Sequence, residues 1–221
     1  MNDVAADVRG DLPGSVRPPT VEGLPDGYIY GVTRYADLIL AHAFPEHFEN
    51  LREALDELTL TRAELESGGG NKTTIAKRFD DALKARGWSK RNITIGKTID
   101  GEQIAEVRGH EIDMFRAGPD PDDPYPGIAC EMEWNNKDPF YDRDLLNFQA
   151  LHREGALAVG IILTRGPRLQ QRIRVAIPGG AQKYGATTTH WDKLVPRVNL
   201  GGGGECPLFL IGIEPERVAG L

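Results

Sequence analysis

Residues 156–166, "ALAVGIILTRG", are apolar almost without interruption. A strand with one face in water alternates polar and apolar residues, so an unbroken run of this kind belongs to a strand covered on both faces. Just before it lies "DRDLLNFQALHREG" (142–155), in which Leu145, Phe148 and Leu151 recur at helical spacing and Gly155 ends the helix. Before that helix comes a second apolar strand, "IACEMEW" (128–134). Strand, helix and strand at this spacing make a βαβ crossover. The chain must therefore build an α/β fold, a mixed sheet with helices on its faces.

The rest of the chain is read around this unit. Residues 33–66 carry helical periodicity interrupted by Pro45, which fits two or three helices. "SGGGN" (67–71) is a hinge or loop, and 72–88 is an amphipathic helix with Ile75, Phe79 and Leu83 on one face. The period then changes to two. Residues 92–99, 101–109 and 110–117 read as short strands, with turns at Asp100-Gly101 and at Gly109. A Pro/Asp-rich loop leads into the 128–134 strand, a long polar segment fills 167–205, and "CPLFLIGI" (206–213) is a last strand. The Pro, Gly and Asp content of the first 27 residues suggests a loose arm.

Composition excludes several classes. No apolar run approaches the ~18 residues of a membrane span, and the N-terminus lacks the basic and apolar regions of a secretory signal. The two cysteines, Cys130 and Cys206, are far apart and lack zinc-site spacing. Both read as buried reduced thiols in a cytoplasmic protein. The net charge of −7 argues mildly against a nucleic-acid partner, but its distribution does not. Basic residues concentrate in 71–97 and 140–200, flanking an acidic block at 98–139. Such blocks suit a metal site acting on a polyanion, and equally suit solvated faces.

The acidic block holds the residues that could do chemistry. Glu131 and Glu133 share one face of their strand, with Ala129 and Asn135, while Ile128, Cys130, Met132 and Trp134 take the other. Asp113 interrupts the preceding strand between Ile112 and Met114. Three neighbouring carboxylates repel and raise each other's pKa unless a cation joins them. All-oxygen ligands with no His or Cys nearby favour Mg2+. The alternative is a sheet edge whose acids face water.

The pattern "ID(113)M … E(131)ME(133)" resembles the active site of the PD-(D/E)XK nuclease superfamily. The strand running into "WNN", the helix leading to "IILTRG", and "ATTTHWDK" (186–193) bring it closer to the BglII/BstYI-like type II restriction endonucleases. Position 133 departs from the superfamily's usual Lys and resembles the Glu-x-Glu variant of BamHI. Composition and periodicity divide the chain into a loose arm (1–30) and one domain (31–221), the latter with a helical N-terminal subdomain (31–90) and an α/β core (91–221). The resemblance, which spans roughly residues 110–195, implies that the core is a PD-(D/E)XK-type central sheet and the domain an endonuclease. It implies Mg2+ held by Asp113 and Glu131, with Glu133 orienting or deprotonating the attacking water. It also implies a homodimer cutting a palindromic DNA site, and a cognate DNA methyltransferase acting on that site.

Asn135, Asn136 and Lys137 follow the strand directly. Asn can pair with a base edge, adenine especially, and the resemblance places Asn135 and Asn136 in the major groove; a plain turn is the other reading. Lys137 reads as a DNA-backbone contact, or as a cation that stabilises charge on the phosphate. Lys183, Tyr184, Thr187, Thr188, Thr189, His190 and Lys193 are further candidates for base and phosphate contacts in an unpatterned loop. Arg165, Arg168, Arg172 and Arg174 could clamp phosphates or lie on the surface. "GGGNKTT" (68–74) imitates a phosphate-binding loop but is broken by Asn71, and "GGGGE" (201–205) is a connector. A non-restriction PD-(D/E)XK nuclease and a non-catalytic DNA-binding α/β domain remain open.

Overall fold

The computed structural model describes residues 14–67 and 73–221. Residues 1–13 of the expected arm, and 68–72 of the glycine-rich loop and the imitation phosphate loop, lie outside the described residues. In chain order the elements are β1 (Tyr28–Val32), α1 (Ala36–Ala43), α2 (Pro45–Glu57), β2 (Leu60–Thr61), α3 (Arg62–Glu66), α4 (Thr74–Lys84), β3 (Ser89–Ile99), β4 (Glu102–Arg116) and β5 (Gly127–Glu133). There follow α5 (Phe140–Arg153), β6 (Leu157–Arg165), α6 (Pro167–Ala176), α7 (Gly180–Lys183), α8 (Trp191–Asn199), β7 (Leu208–Ile213) and β8 (Val218–Ala219).

The main sheet has six strands in the order β1-β7-β6-β5-β4-β3, and β2 pairs with β8 apart from it. The three central strands β5, β6 and β7 run parallel. The outer pairings, β1 with β7, β4 with β5 and β3 with β4, are antiparallel. This is the mixed α/β sheet that the crossover at 128–166 demands. The apolar run becomes β6, buried along almost its whole length because both its neighbours and both its faces are covered.

Alternation along the strands sorts the core into two layers. Ile128, Cys130, Met132, Val159, Ile161 and Leu163 pack with Leu40, Phe48, Leu51 and Phe79 of α1, α2 and α4. Ala129, Ile162, Leu208 and Leu210 pack on the opposite face with Tyr141, Leu145 and Phe148 of α5 and Trp191, Leu194 and Val198 of α8. The N-terminal helices thus share a core with the sheet. At Gly160 a Cβ would lie 2.3 Å from the Phe148 ring, so this glycine is what lets α5 lie close against β6.

Several expectations need correction. Residues 28–30, assigned to a loose arm, are part of β1 and pair with β7. The strands expected at 101–109 and 110–117 are one strand, β4, which runs through Gly109 without a turn. The turn at Asp100-Gly101 does form, with both residues at positive φ as a tight hairpin requires. The long polar segment 167–205 contains α6, α7 and α8, and its 179–194 stretch, read as an unpatterned loop, includes α7 and the start of α8. The buried stripes of α6 and α8 are sparse: Leu169 with Ile173, and Trp191 with Leu194 and Val198. Pro196 inside α8 hides the second stripe further. Both cysteines are buried and neither is in a disulfide, as expected.

Candidate active site

β4 and β5 hold their ladder from Arg116/Ile128 to Met114/Cys130. One step further the pairing changes character. The Asp113 backbone N–H donates to Glu131 Oε1 at 3.0 Å, so a side chain takes the place of a ladder carbonyl. This contact brings the first two acids together. Glu133 follows two residues on, at the end of β5, on the same face. Its main chain is fixed from below: Thr164 Oγ1 donates to the Glu133 carbonyl at 2.8 Å, and the Tyr141 hydroxyl reaches Thr164 Oγ1 at 2.6 Å.

A fourth acid joins them from α5. Asp144 lies on the helix's buried stripe with Tyr141, Leu145, Phe148 and Leu151. Glu131, Glu133 and Asp144 are 4%, 3% and 2% exposed. Sequence reasoning missed Asp144, although its signal was present: a carboxylate at helical spacing among apolar residues. Arg143 stands beside it. Its Nε and Nη2 donate to Asp144 Oδ1 at 2.8 and 2.7 Å, and Nη2 lies 3.5 Å from Glu133 Oε1. The guanidinium stacks over Phe140.

Burial of so much like charge raises the proton affinity of the acids. Glu131 is held well above the usual carboxylate range, first by desolvation and then by Asp144, Asp113 and Glu133. Glu133 is pushed up to about 8, by burial and by Asp144, against the pull of the Asn136 amide and Arg143. Burial also raises Asp144, with Arg143 opposing. Glu133 and Asp144 each act on the other's ionisation, so the two carboxyls titrate as a pair.

The acids open into a cleft of about 870 Å³ lined by Asp113, Glu131, Glu133, Asn135, Asn136, Arg143 and Asn147, with Glu64 and Thr73 to Ala76 across from them. Thr73 caps α4 there, its hydroxyl accepting from the Ala76 N–H. Among the described residues no three Asp, Glu, His or Cys side chains stand close enough to hold a metal ion as they are. Glu131 Oε1 is engaged by the Asp113 amide, Glu133 Oε2 by Asn136 Nδ2 at 2.6 Å, and Asp144 Oδ1 by Arg143. The donor chemistry nevertheless fits a hard dication. All the groups are oxygens, the buried Asp144 Oδ2 meets no N–H donor, and three acids are pushed toward protonation by burial and by their carboxylate neighbours, a conflict that a cation would relieve.

The expected DNA-contact residues divide. Asn135, Asn136, Lys183 and Tyr184 line the cleft. Lys183 Nζ is tied to the carbonyls of Leu65 and Ser67, and the Tyr184 hydroxyl donates to Leu65 O. Lys137 and Thr187 are exposed, and Lys193 is half-buried on α8. Thr188, Thr189 and His190 are buried, contrary to expectation. Thr188 Oγ1 and the Thr189 carbonyl accept from Arg165, and His190 Nδ1 meets Thr188 O at 2.7 Å. The backbone of 187–189 is zipped to 136–138 by Asp138 N–H to Thr187 O, Thr189 N–H to Asn136 O and a bridge between Lys137 and Thr188. Arg165 is fully buried, so it neither clamps phosphate nor lies on the surface. Arg168 pairs with Glu216, whereas Arg172 and Arg174 are exposed.

A six-stranded mixed sheet, helices on both faces and an acid-lined cleft at the end of β5 define a fold of the PD-(D/E)XK nuclease class. The family model described as restriction endonuclease BglII/BglIII matches residues 28–213, from β1 to the end of β7. The chain belongs to this family of restriction endonucleases, and DNA is the substrate that membership implies. No curated protein matches it. Among the described residues no helix is long and apolar enough to cross a membrane.

Proposed function

We propose that the chain is a cytoplasmic type II restriction endonuclease that makes Mg2+-dependent double-strand breaks at a short, specific, palindromic DNA sequence. It works as a homodimer alongside a DNA methyltransferase that modifies the same site. One observation carries this reading. Asp113, Glu131 and Glu133 converge in a single cleft whose rim is formed by the asparagines that continue β5. A two-fold dimer matches a palindrome, and each protomer's cleft then cuts one strand.

In this reading Asp113 and Glu131 would hold the cation. When bound, Mg2+ would supply Lewis-acid polarisation of the scissile phosphate and lower the pKa of the attacking water. Glu133 orients that water and takes its proton for in-line attack on phosphorus. Asn136 Nδ2, donating to Glu133 Oε2, fixes the direction in which the other carboxylate oxygen points. Arg143, already beside Glu133 and Asp144, places positive charge where the pentacovalent phosphorus gains negative charge. The closely packed α5 keeps water from reaching the acids from below.

The test is incubation of purified protein with plasmid and phage DNA, with Mg2+ and with EDTA. Discrete bands that need Mg2+, absent for Asp113→Asn, are the expected result. A smear would replace site specificity with general nuclease action. Uncut DNA across substrates and metals would leave a binding domain.

A further inference from the structure

A buried arginine without a carboxylate is an expensive thing to keep, and Arg165 is buried with no carboxylate in contact among the described residues; desolvation works against its charge. Its position follows from register. β6 pairs Thr164 with Glu133, so Arg165, the next residue, lies under the chain where β5 gives way to Asn135 and Asn136. Its guanidinium stacks on Tyr184 and reaches three acceptors: Asn135 Oδ1 at 3.1 Å, Thr188 Oγ1 at 2.7 Å and Thr189 O at 2.6 Å. It therefore joins the end of the catalytic strand to the 187–189 segment zipped against it.

A guanidinium only donates. Asn135 must turn its Oδ1 inward, which leaves its Nδ2 amino group as the end facing the cleft. Asn136 is held the opposite way. Its Nδ2 donates to Glu133 Oε2, so its Oδ1 is the end left for a ligand. Resting on the reading of this cleft as a DNA endonuclease site, we propose that Arg165 is a positioning residue for base recognition. By fixing the amide polarity of Asn135, it presents the DNA with a donor at 135 beside an acceptor at 136. The donor suits purine N7, guanine O6 or thymine O4. The acceptor suits the amino groups of adenine N6 or cytosine N4.

The experiment measures cleavage of the wild-type target and of all its single-base-pair variants, together with Tm, for wild type, Asn135→Asp and Arg165→Lys. Asn135→Asp keeps an oxygen for Arg165 but replaces the outward donor with an acceptor. Its Tm should hold or rise while cleavage of the wild-type target falls about 100-fold, on the scale of one lost base contact. Arg165→Lys cannot reach all three acceptors, so the ratio of cognate to variant-site cleavage should fall at the base pair read by Asn135 and stay unchanged elsewhere. A merely structural Arg165 would lower Tm and slow every site equally, and that result overturns the proposal. So does an Asn135→Asp enzyme that cuts the original target as fast as wild type. If wild type itself yields no discrete fragments, the endonuclease reading fails first and the proposal falls with it.

Discussion

Glu133 shows most directly how the proposed site sets function against stability. Its ordinary carboxyl would ionise near pH 4.5, and the fold raises that to about 8. Between those values the folded chain holds a proton that the unfolded chain has released. Stability without metal therefore falls as pH rises from about 4.5 to 8, and none of this penalty is present below that window. The expected outcome is a lower Tm in EDTA at pH 8 than at pH 5.5, with added Mg2+ raising Tm more at pH 8. Glu133→Gln removes the ionisation and keeps the shape. It should raise the EDTA Tm at pH 8 by several degrees and abolish cleavage, as differential scanning and gel assays would show. Asp113, Glu131 and Glu133 were legible in the sequence because acids in apolar strands are conspicuous. Asp144 was not, because a helix tolerates one acid among its stripe without breaking period. Nor was the burial of Thr188, Thr189 and His190, since their inward turn depends on Arg165, and a basic residue at a strand end reads as surface.

At the level of elements, β5, α5 and β6 were readable because their periods are long and clean. The helices α6 and α8 were not, because two or three apolar residues carry each and Pro196 interrupts the second. The merging of two expected strands into β4 has a different cause: Gly109 is a good turn residue, and only pairing with β3 decides against the turn. The packing of α5 gives a test that leaves every acid in place. Gly160→Ala would put a methyl carbon 2.3 Å from Phe148 Cδ2. Overpacking of this kind costs about 1–3 kcal/mol, or roughly 2–12 °C in Tm for a domain of this size. Because Phe148 and Asp144 share a helix face, the shift should also slow cleavage at least tenfold, measured at saturating DNA. Unchanged cleavage beside a lowered Tm would show that α5 only supports the fold.

For the molecule as a whole, charge is arranged rather than abundant. The chain carries a net −7, and several arginines are used internally: Arg86 with Glu53 and Glu57, Arg168 with Glu216, Arg197 with Asp142. Lys137, Arg172 and Arg174 are exposed, and the proposed reading assigns such cations to phosphates. With six or so phosphate contacts per dimer, DNA affinity measured in Ca2+ should fall about 10³-fold between 50 and 200 mM salt. Sedimentation should give twice the 24.3 kDa of one chain, and a monomer that still cuts both strands would refute the two-fold arrangement.

The hydrogen bond from the Asp113 amide to Glu131 Oε1 turns one backbone proton into a reporter. Its exchange with deuterated solvent depends on a carboxylate oxygen, whereas the Met114–Arg116 stretch depends on a strand partner. A cation that recruits Glu131 would take that acceptor away, so the Asp113 amide should exchange faster while Met114 to Arg116 stay protected. One amide would then give the occupancy of the site in solution, with no DNA present and no turnover required.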